Sequence, residues 1–118
     1  MPPFDPGSVL PLNPRAFAIL MALLEGPAHG YGLKTAVEAR SGGGVVIDPG
    51  TLYRTVARLV DDGWAEPVPT PPDEEGEDSR RRYYAVTDRG RAVAAAEAQR
   101  LRSLLDRAES RHLLPDSG

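Results

Sequence analysis

Cysteine is absent from the 118 residues, which excludes disulfides, thiolate metal sites and cysteine nucleophiles. Apolar runs are short, and none approaches the roughly 20 residues that a membrane span needs. Met1 to Leu12 contain no basic residue, so they do not form a signal peptide. A soluble, cytoplasmic chain without membrane association is expected. Lysine is nearly missing: Lys34 stands alone among 14 Lys and Arg residues, a bias that fits GC-rich coding. The two histidines, His29 and His112, are far apart and without cysteine make no zinc site. No glycine-rich phosphate loop, nucleophile elbow or paired-carboxylate motif occurs, so neither enzymatic activity nor a metal or cofactor is expected. There is no internal repeat.

The remaining composition is that of one globular domain, with 41% hydrophobic and 26% charged residues. The formal net charge is -3 and the pI is near 5.3. A non-specific nucleic-acid coat needs a broad basic field, and this chain lacks one. The acids are unevenly placed, however. Asp73, Glu74, Glu75, Glu77 and Asp78 crowd one short proline-rich stretch. Without these five the other twelve acids face 14 basic residues, so the body is mildly basic.

The segment from Pro49 to Trp64 has two contrasting faces. Leu52, Val56, Leu59 and Val60 form an apolar stripe at helical spacing. Thr51, Arg54, Thr55 and Arg58 form a second stripe opposite, with no acid before Asp61. Hydroxyls and guanidiniums bind phosphates and read base edges in the major groove. Gly63 is placed to end this helix, and the whole has the form of a recognition helix. The plainer reading of Arg54 and Arg58 is two solvated arginines on an exposed face. Thr51 is open to a competing role as N-cap. Tyr53, between the faces, is expected to pack its ring on the first helix and offer its hydroxyl to phosphate.

Other elements flank this helix. Asn13-Pro14 is a helix start, followed by Phe17, Ile19, Leu20, Leu23 and Leu24, and Gly26-Pro27 ends that helix. A second helix is expected over 31–40, with Leu33, Ala36 and Val37 inward and Ser41 to Gly44 breaking it. Ala65 to Val68 and Arg80 to Val86 read as two strands of a hairpin around the acidic turn at 69–79. Thr87 then caps a helix over about 88–110, roughly 34 Å long at ~1.5 Å per residue. The fold class is therefore mainly α with a small β-hairpin: a winged helix-turn-helix plus one long C-terminal dimerisation helix. The domain boundaries are a disordered N-terminal tail at 1–12, the DNA-binding domain at 13–86, the dimerisation helix at 87–112 and a frayed tail at 113–118.

In this architecture the second helix crosses the DNA backbone, which places Tyr31 and Lys34 near phosphate; core packing is the alternative for Tyr31. Arg80, Arg81 and Arg82 on the return strand are further backbone contacts. On the long helix, Ala94, Ala98, Leu101, Leu105 and Ala108 follow a heptad-type seam, with Leu104 beside it. This seam predicts a homodimer about a twofold axis. The 92–98 part of it is expected to rest on the chain's own first helix. Trp64 reads as core, and His29 as a local hydrogen-bonding residue of its turn.

Three linked motifs carry a family resemblance. They are Leu23-Leu24-Glu25-Gly26-Pro27-Ala28-His29-Gly30-Tyr31-Gly32, then Gly50-Thr51-Leu52-Tyr53-Arg54 with Leu59 and Gly63, then Arg81-Arg82-Tyr83-Tyr84-Ala85-Val86-Thr87 with Gly90. In order and spacing, over about 15–95, the chain resembles the PadR family of bacterial transcriptional regulators. The resemblance implies a dimeric repressor that binds double-stranded DNA and dimerises through its last helix. It also implies release by an effector, for which a small aromatic compound is the candidate class. The acidic wing tip departs from the pattern, because phosphates would repel it. A winged-helix protein-interaction module without DNA binding is the rival function, and net charge is the feature that speaks for it.

Overall fold

The computed structural model describes residues 4–40, 42, 44, 46–70 and 82–115. Among these residues four α-helices and three strands follow one another: α1 (Pro14–Leu23), β1 (Ala28–His29), α2 (Gly30–Arg40), α3 (Pro49–Asp61), β2 (Ala65–Val68), β3 (Tyr83–Val86) and α4 (Asp88–Ser110). The mainly helical architecture with a small sheet and a long last helix is the expected one. Each helix start has a physical cause. The Asn13 carboxamide accepts from the Arg15 and Ala16 amides ahead of Pro14, and Asp48 accepts from the Thr51 amide ahead of Pro49. Thr87 accepts from Gly90 to open α4.

The core lies between α1, α2, α3 and the first half of α4. Ile19, Leu20, Leu23, Leu33, Val37, Leu52, Val56, Leu59 and Val93 are all essentially inaccessible. The apolar stripe of α3 is thus the buried one, although Val60 is only half-buried. Trp64 joins the core, as its place in the sequence led us to expect. Among the described residues no buried side-chain nitrogen or oxygen lacks a hydrogen-bond partner. None of the described helices is long and apolar enough to cross a membrane.

Three features differ from the sequence reading. The sheet has three strands in the order β1-β3-β2, not two. β1 pairs Ala28 with Tyr84 and His29 with Tyr83. A two-residue strand carries no alternation to detect; it exists because β3 offers a free edge. The return strand begins at Tyr83, with Arg82 just before it. The acidic tip, Arg80 and Arg81 lie outside the described residues.

The second difference is the N-terminal arm, expected to be disordered over 1–12. Pro6–Val9 forms a short 3-10 helix capped by Asp5. Phe4, Val9 and Leu10 pack against the core, and Leu12 is part of it. The Arg89 guanidinium sits 4.9 Å from the centre of the Phe4 ring, a cation–π contact. Polar anchoring comes from Glu97, which is 2% exposed. Its carboxylate accepts from the Leu12 amide at 2.9 Å and is held by Arg100, whose Nη2 lies 3.1 Å away.

The third concerns α4. Ala94, assigned to the dimer seam, is 2% exposed and belongs to this chain's own core. Val93, Ala94 and Glu97 face inward, and beyond Glu97 no α4 residue is buried. The proximal end thus rests on α1, and the seam begins later.

The end of α3 and the start of α4 form one clasp. Gly63 has φ +81°, and its amide donates to Val60 O at 3.0 Å while the Trp64 amide donates to Leu59 O at 2.9 Å. This is a Schellman closure. The Gly63 and Trp64 carbonyls of that turn then accept from the start of α4. Thr87 Oγ1 donates to Gly63 O at 2.6 Å, and the Thr87 amide donates to Trp64 O at 3.1 Å. Gly90 packs so closely that a Cβ would collide with the Trp64 carbonyl oxygen.

Alanine at an ordinary helix position gains about 1 kcal/mol over glycine. Here the collision outweighs that gain, and Gly90→Ala should cost about 1–3 kcal/mol. A urea midpoint equal to or above the wild-type value would contradict the clasp. A second expectation concerns acid. Hydrogen bonding to Arg100 holds the Glu97 pKa below its ordinary value of 4.5, against the opposing effect of burial and with help from the Leu12 amide. A lowered folded-state pKa stabilises the native chain above the unfolded value, and that contribution is lost as pH falls through the folded value. The stability gap between wild type and Glu97→Gln should therefore be full above about pH 4.5 and close below it. Urea midpoints measured between about pH 3 and pH 6 check this, and a pH-independent gap would refute it.

Candidate nucleic-acid interface

The outer face of α3 is where chemistry concentrates. Its first turn is organised by Asp48. Besides capping the Thr51 amide at 3.0 Å, the Asp48 carboxylate accepts from Thr51 Oγ1 at 2.7 Å. Thr51 Oγ1 in turn accepts from Arg54 Nη2 at 3.2 Å. The two hydrogen bonds from Thr51 hold the Asp48 carboxyl below its ordinary pKa, with Arg54 adding a favourable charge. Asp48, not Thr51, is therefore the N-cap, and the relay Asp48–Thr51–Arg54 orients the arginine.

Thr55 Oγ1 donates to Thr51 O at 2.7 Å. A hydroxyl has one hydrogen, and both Thr51 and Thr55 spend theirs inside the protein. What they present outward is lone pairs and methyl groups. That suits the methyl of a thymine better than a phosphate, which needs donors. Arg58 is an open cation of the face, with its side chain 80% exposed and its Nε 3.6 Å from Asp62. Asp62 was missed in the sequence, although its i, i+4 spacing from Arg58 signals the pair.

Tyr53 is exposed, and its ring lies close to Gly30 at the start of α2. A Cβ on Gly30 would come within 2.6 Å of Tyr53 Cε1. The glycine at the start of α2 thus lets the tyrosine lie flat, with its ring partly covered. Tyr31 is 68% exposed, which removes core packing as its role. Lys34 is half-buried and paired with Glu38 at 2.7 Å, so its charge is already compensated. His29 Nδ1 accepts from the Gly32 amide at 3.1 Å, and its ring meets Tyr83 edge-on at 5.2 Å. It is a local structural residue of the turn. Arg82 is exposed at the base of the wing.

A groove of about 500 Å³ runs along α3. Thr51, Arg54, Thr55, Arg58 and Asp62 form one wall; Pro11, Leu12, Asn13 and Arg15 form the other. The structure thus brings four of the predicted contact residues together with the N-terminal arm. Tyr31 and Lys34 are on α2, outside this groove. Among the described residues no group of three or more histidines and carboxylates is placed to hold a metal ion.

Comparison with known proteins agrees with this fold. The model of the transcriptional regulator PadR-like family matches residues 19–96. An uncharacterized 37.1 kDa protein in transposon TN4556 of Streptomyces fradiae is 35% identical over 95 residues, which is 80% of this chain and 25% of the relative. The match therefore spans about a quarter of that relative's length. A transcriptional regulator from Clostridium thermocellum is similar in structure, with TM-score 0.67 and 25% identity over 81% of this chain and 87% of the other. A PadR family transcription regulator from hypervirulent Clostridium difficile shares the fold, with TM-score 0.69 and 19% identity over 83% of this chain and 97% of the other.

Proposed function

The chain belongs to the PadR-like family of transcriptional regulators, and from that premise we propose that it is a homodimeric repressor that reads an imperfect palindrome with α3. DNA-binding regulation of transcription is the general function of such a winged-helix fold. The observation that carries the finer reading is the outer face of α3: Arg54 held by Thr51 and Asp48, and Arg58 exposed to solvent beside Asp62. A pre-oriented guanidinium loses less freedom on binding and can engage guanine bidentately. In this reading Thr51 and Thr55 on the same face offer methyl contact, exposed Tyr53 and Tyr31 offer phenolic donors, and exposed Arg82 at the base of the wing adds a further cation. Arg80 and Arg81 would extend the contact along the wing. Lys34 contributes least, because Glu38 already neutralises it.

Dimerisation rests on the distal half of α4. Leu104 and Leu105 are 48% and 55% exposed, Leu101 and Ala108 are half-buried and Ala98 is exposed. An unpartnered apolar stripe of this kind is covered economically by its own copy through a twofold axis. Two copies of α3 would then meet half-sites about 34–36 Å apart. Release by a small aromatic effector is part of the same proposal.

Two measurements test it. With a duplex selected by the wild-type protein, Arg54→Ala with Arg58→Ala should weaken binding at least about tenfold, since each bidentate contact is worth roughly 1–3 kcal/mol. Wild-type affinity should also fall steeply with salt as counterions are released; unchanged affinity in the double variant would remove α3 as the reader. By sedimentation the wild type should run as two 12.7 kDa chains, and Leu101→Glu with Leu105→Glu should run as one. A monomeric wild type would overturn the dimer.

A further inference from the structure

The groove beside α3 has a second wall, and that wall carries a cation absent from the reading above. Arg15, at the second position of α1, lines the same groove as Arg54 and Arg58. It is exposed and forms no ion pair among the described residues. The groove thus holds three guanidiniums and a single carboxylate, Asp62, which already faces Arg58.

We propose that Arg15 is a phosphate contact that extends the DNA interface from α3 onto the N-terminal arm and the start of α1. The proposal rests on the assignment of α3 as the DNA-facing helix. Duplex DNA is the occupant the observations favour, because one wall of the groove is the outer face of α3 itself and the groove is open to solvent. A strand of phosphates following that face meets Arg15 next. The α1 amides are not the attraction, since the Asn13 carboxamide already takes those of Arg15 and Ala16 at 2.8 and 3.4 Å. The guanidinium is what remains to offer.

The arm positions this residue. Three residues before Arg15, the Leu12 amide is fixed to the buried Glu97 carboxylate. One residue after it, Ala16 is buried in the core. The Arg15 backbone is therefore held from both sides while its side chain stays free to reach. A phosphate contact of this kind adds affinity without sequence preference.

The test uses the full chain and a duplex selected by the wild type, with binding followed by fluorescence anisotropy over a range of KCl. Arg15→Ala should weaken binding about threefold to tenfold, uniformly across single-base variants of the duplex. The slope of log K against log salt should shrink by about 1 per protomer. Arg15→Lys should keep the wild-type slope. Circular dichroism of each variant confirms the native helix content, which an exposed side chain does not control.

Wild-type affinity and slope in Arg15→Ala, alongside a defective Arg54→Ala, Arg58→Ala variant, would overturn the Arg15 assignment alone. So would a loss confined to one base position, which marks base readout instead of phosphate contact. A slope unchanged in Arg15→Ala despite weaker affinity would also overturn it, and would point to a small anionic ligand or a packing role for the groove wall. A wild-type protein that retains no duplex would overturn both this proposal and the α3 assignment.

Discussion

Everything in this small fold depends on how α3 ends. The amides of Gly63 and Trp64 close the helix on the Val60 and Leu59 carbonyls, and the carbonyls of the same two residues accept from Thr87 at the start of α4. One threonine, Thr87, reads Gly63 O with its hydroxyl and caps its own helix through Gly90. One glycine lets the two backbones touch. Buried backbone carbonyls must find donors, and here donors and acceptors of two helices satisfy each other. The helix that carries the arginines and the helix that carries the exposed leucines are thereby fixed to one another through a few atoms, and any partner bound by one meets a defined orientation of the other.

The same economy shapes the two polar anchors. Glu97 is the one strongly buried carboxylate among the described residues, and it is compensated twice, by Arg100 and by the Leu12 amide. A buried charge left unpaired would be costly; paired in this way it fixes the N-terminal arm against α4. Asp48 does the complementary work at the surface. It caps α3 and, through Thr51, holds Arg54 in place. The acidic net charge of the chain therefore misleads about its partner. Asp48, Asp62 and Glu38 are each matched to a group beside them, while Arg15 projects from the groove wall with no ion pair among the described residues.

Much of this was legible beforehand. Helix boundaries were, because proline, asparagine, aspartate and glycine act locally: Asn13-Pro14, Asp48-Pro49, Gly63 and Thr87 all mark real ends. The buried stripe of α3 was, because helical periodicity decides which side faces a core. The two-residue β1 was not, since it depends on the free edge of a strand more than 50 positions away. The ordered arm was not either. Met1 to Leu12 look like a tail by composition, and nothing local reveals that Glu97 waits for the Leu12 amide. Ala94 was legible only in part: the weakly apolar 92–98 stretch pointed to the chain's own first helix, but an alanine in a heptad looks alike whether it faces its own core or a second chain.

Arg15 draws the line between the two kinds of information most clearly. Local chemistry in the chain is enough to name an amphipathic helix with an arginine face and a long apolar helix to follow, because caps, periodicity and turn residues act over a few neighbours. That an arginine 39 positions before Arg54 shares a groove with it follows from packing alone. Only the joint burial of α1 and α3, with the arm pinned to Glu97, decides which surface charges become neighbours.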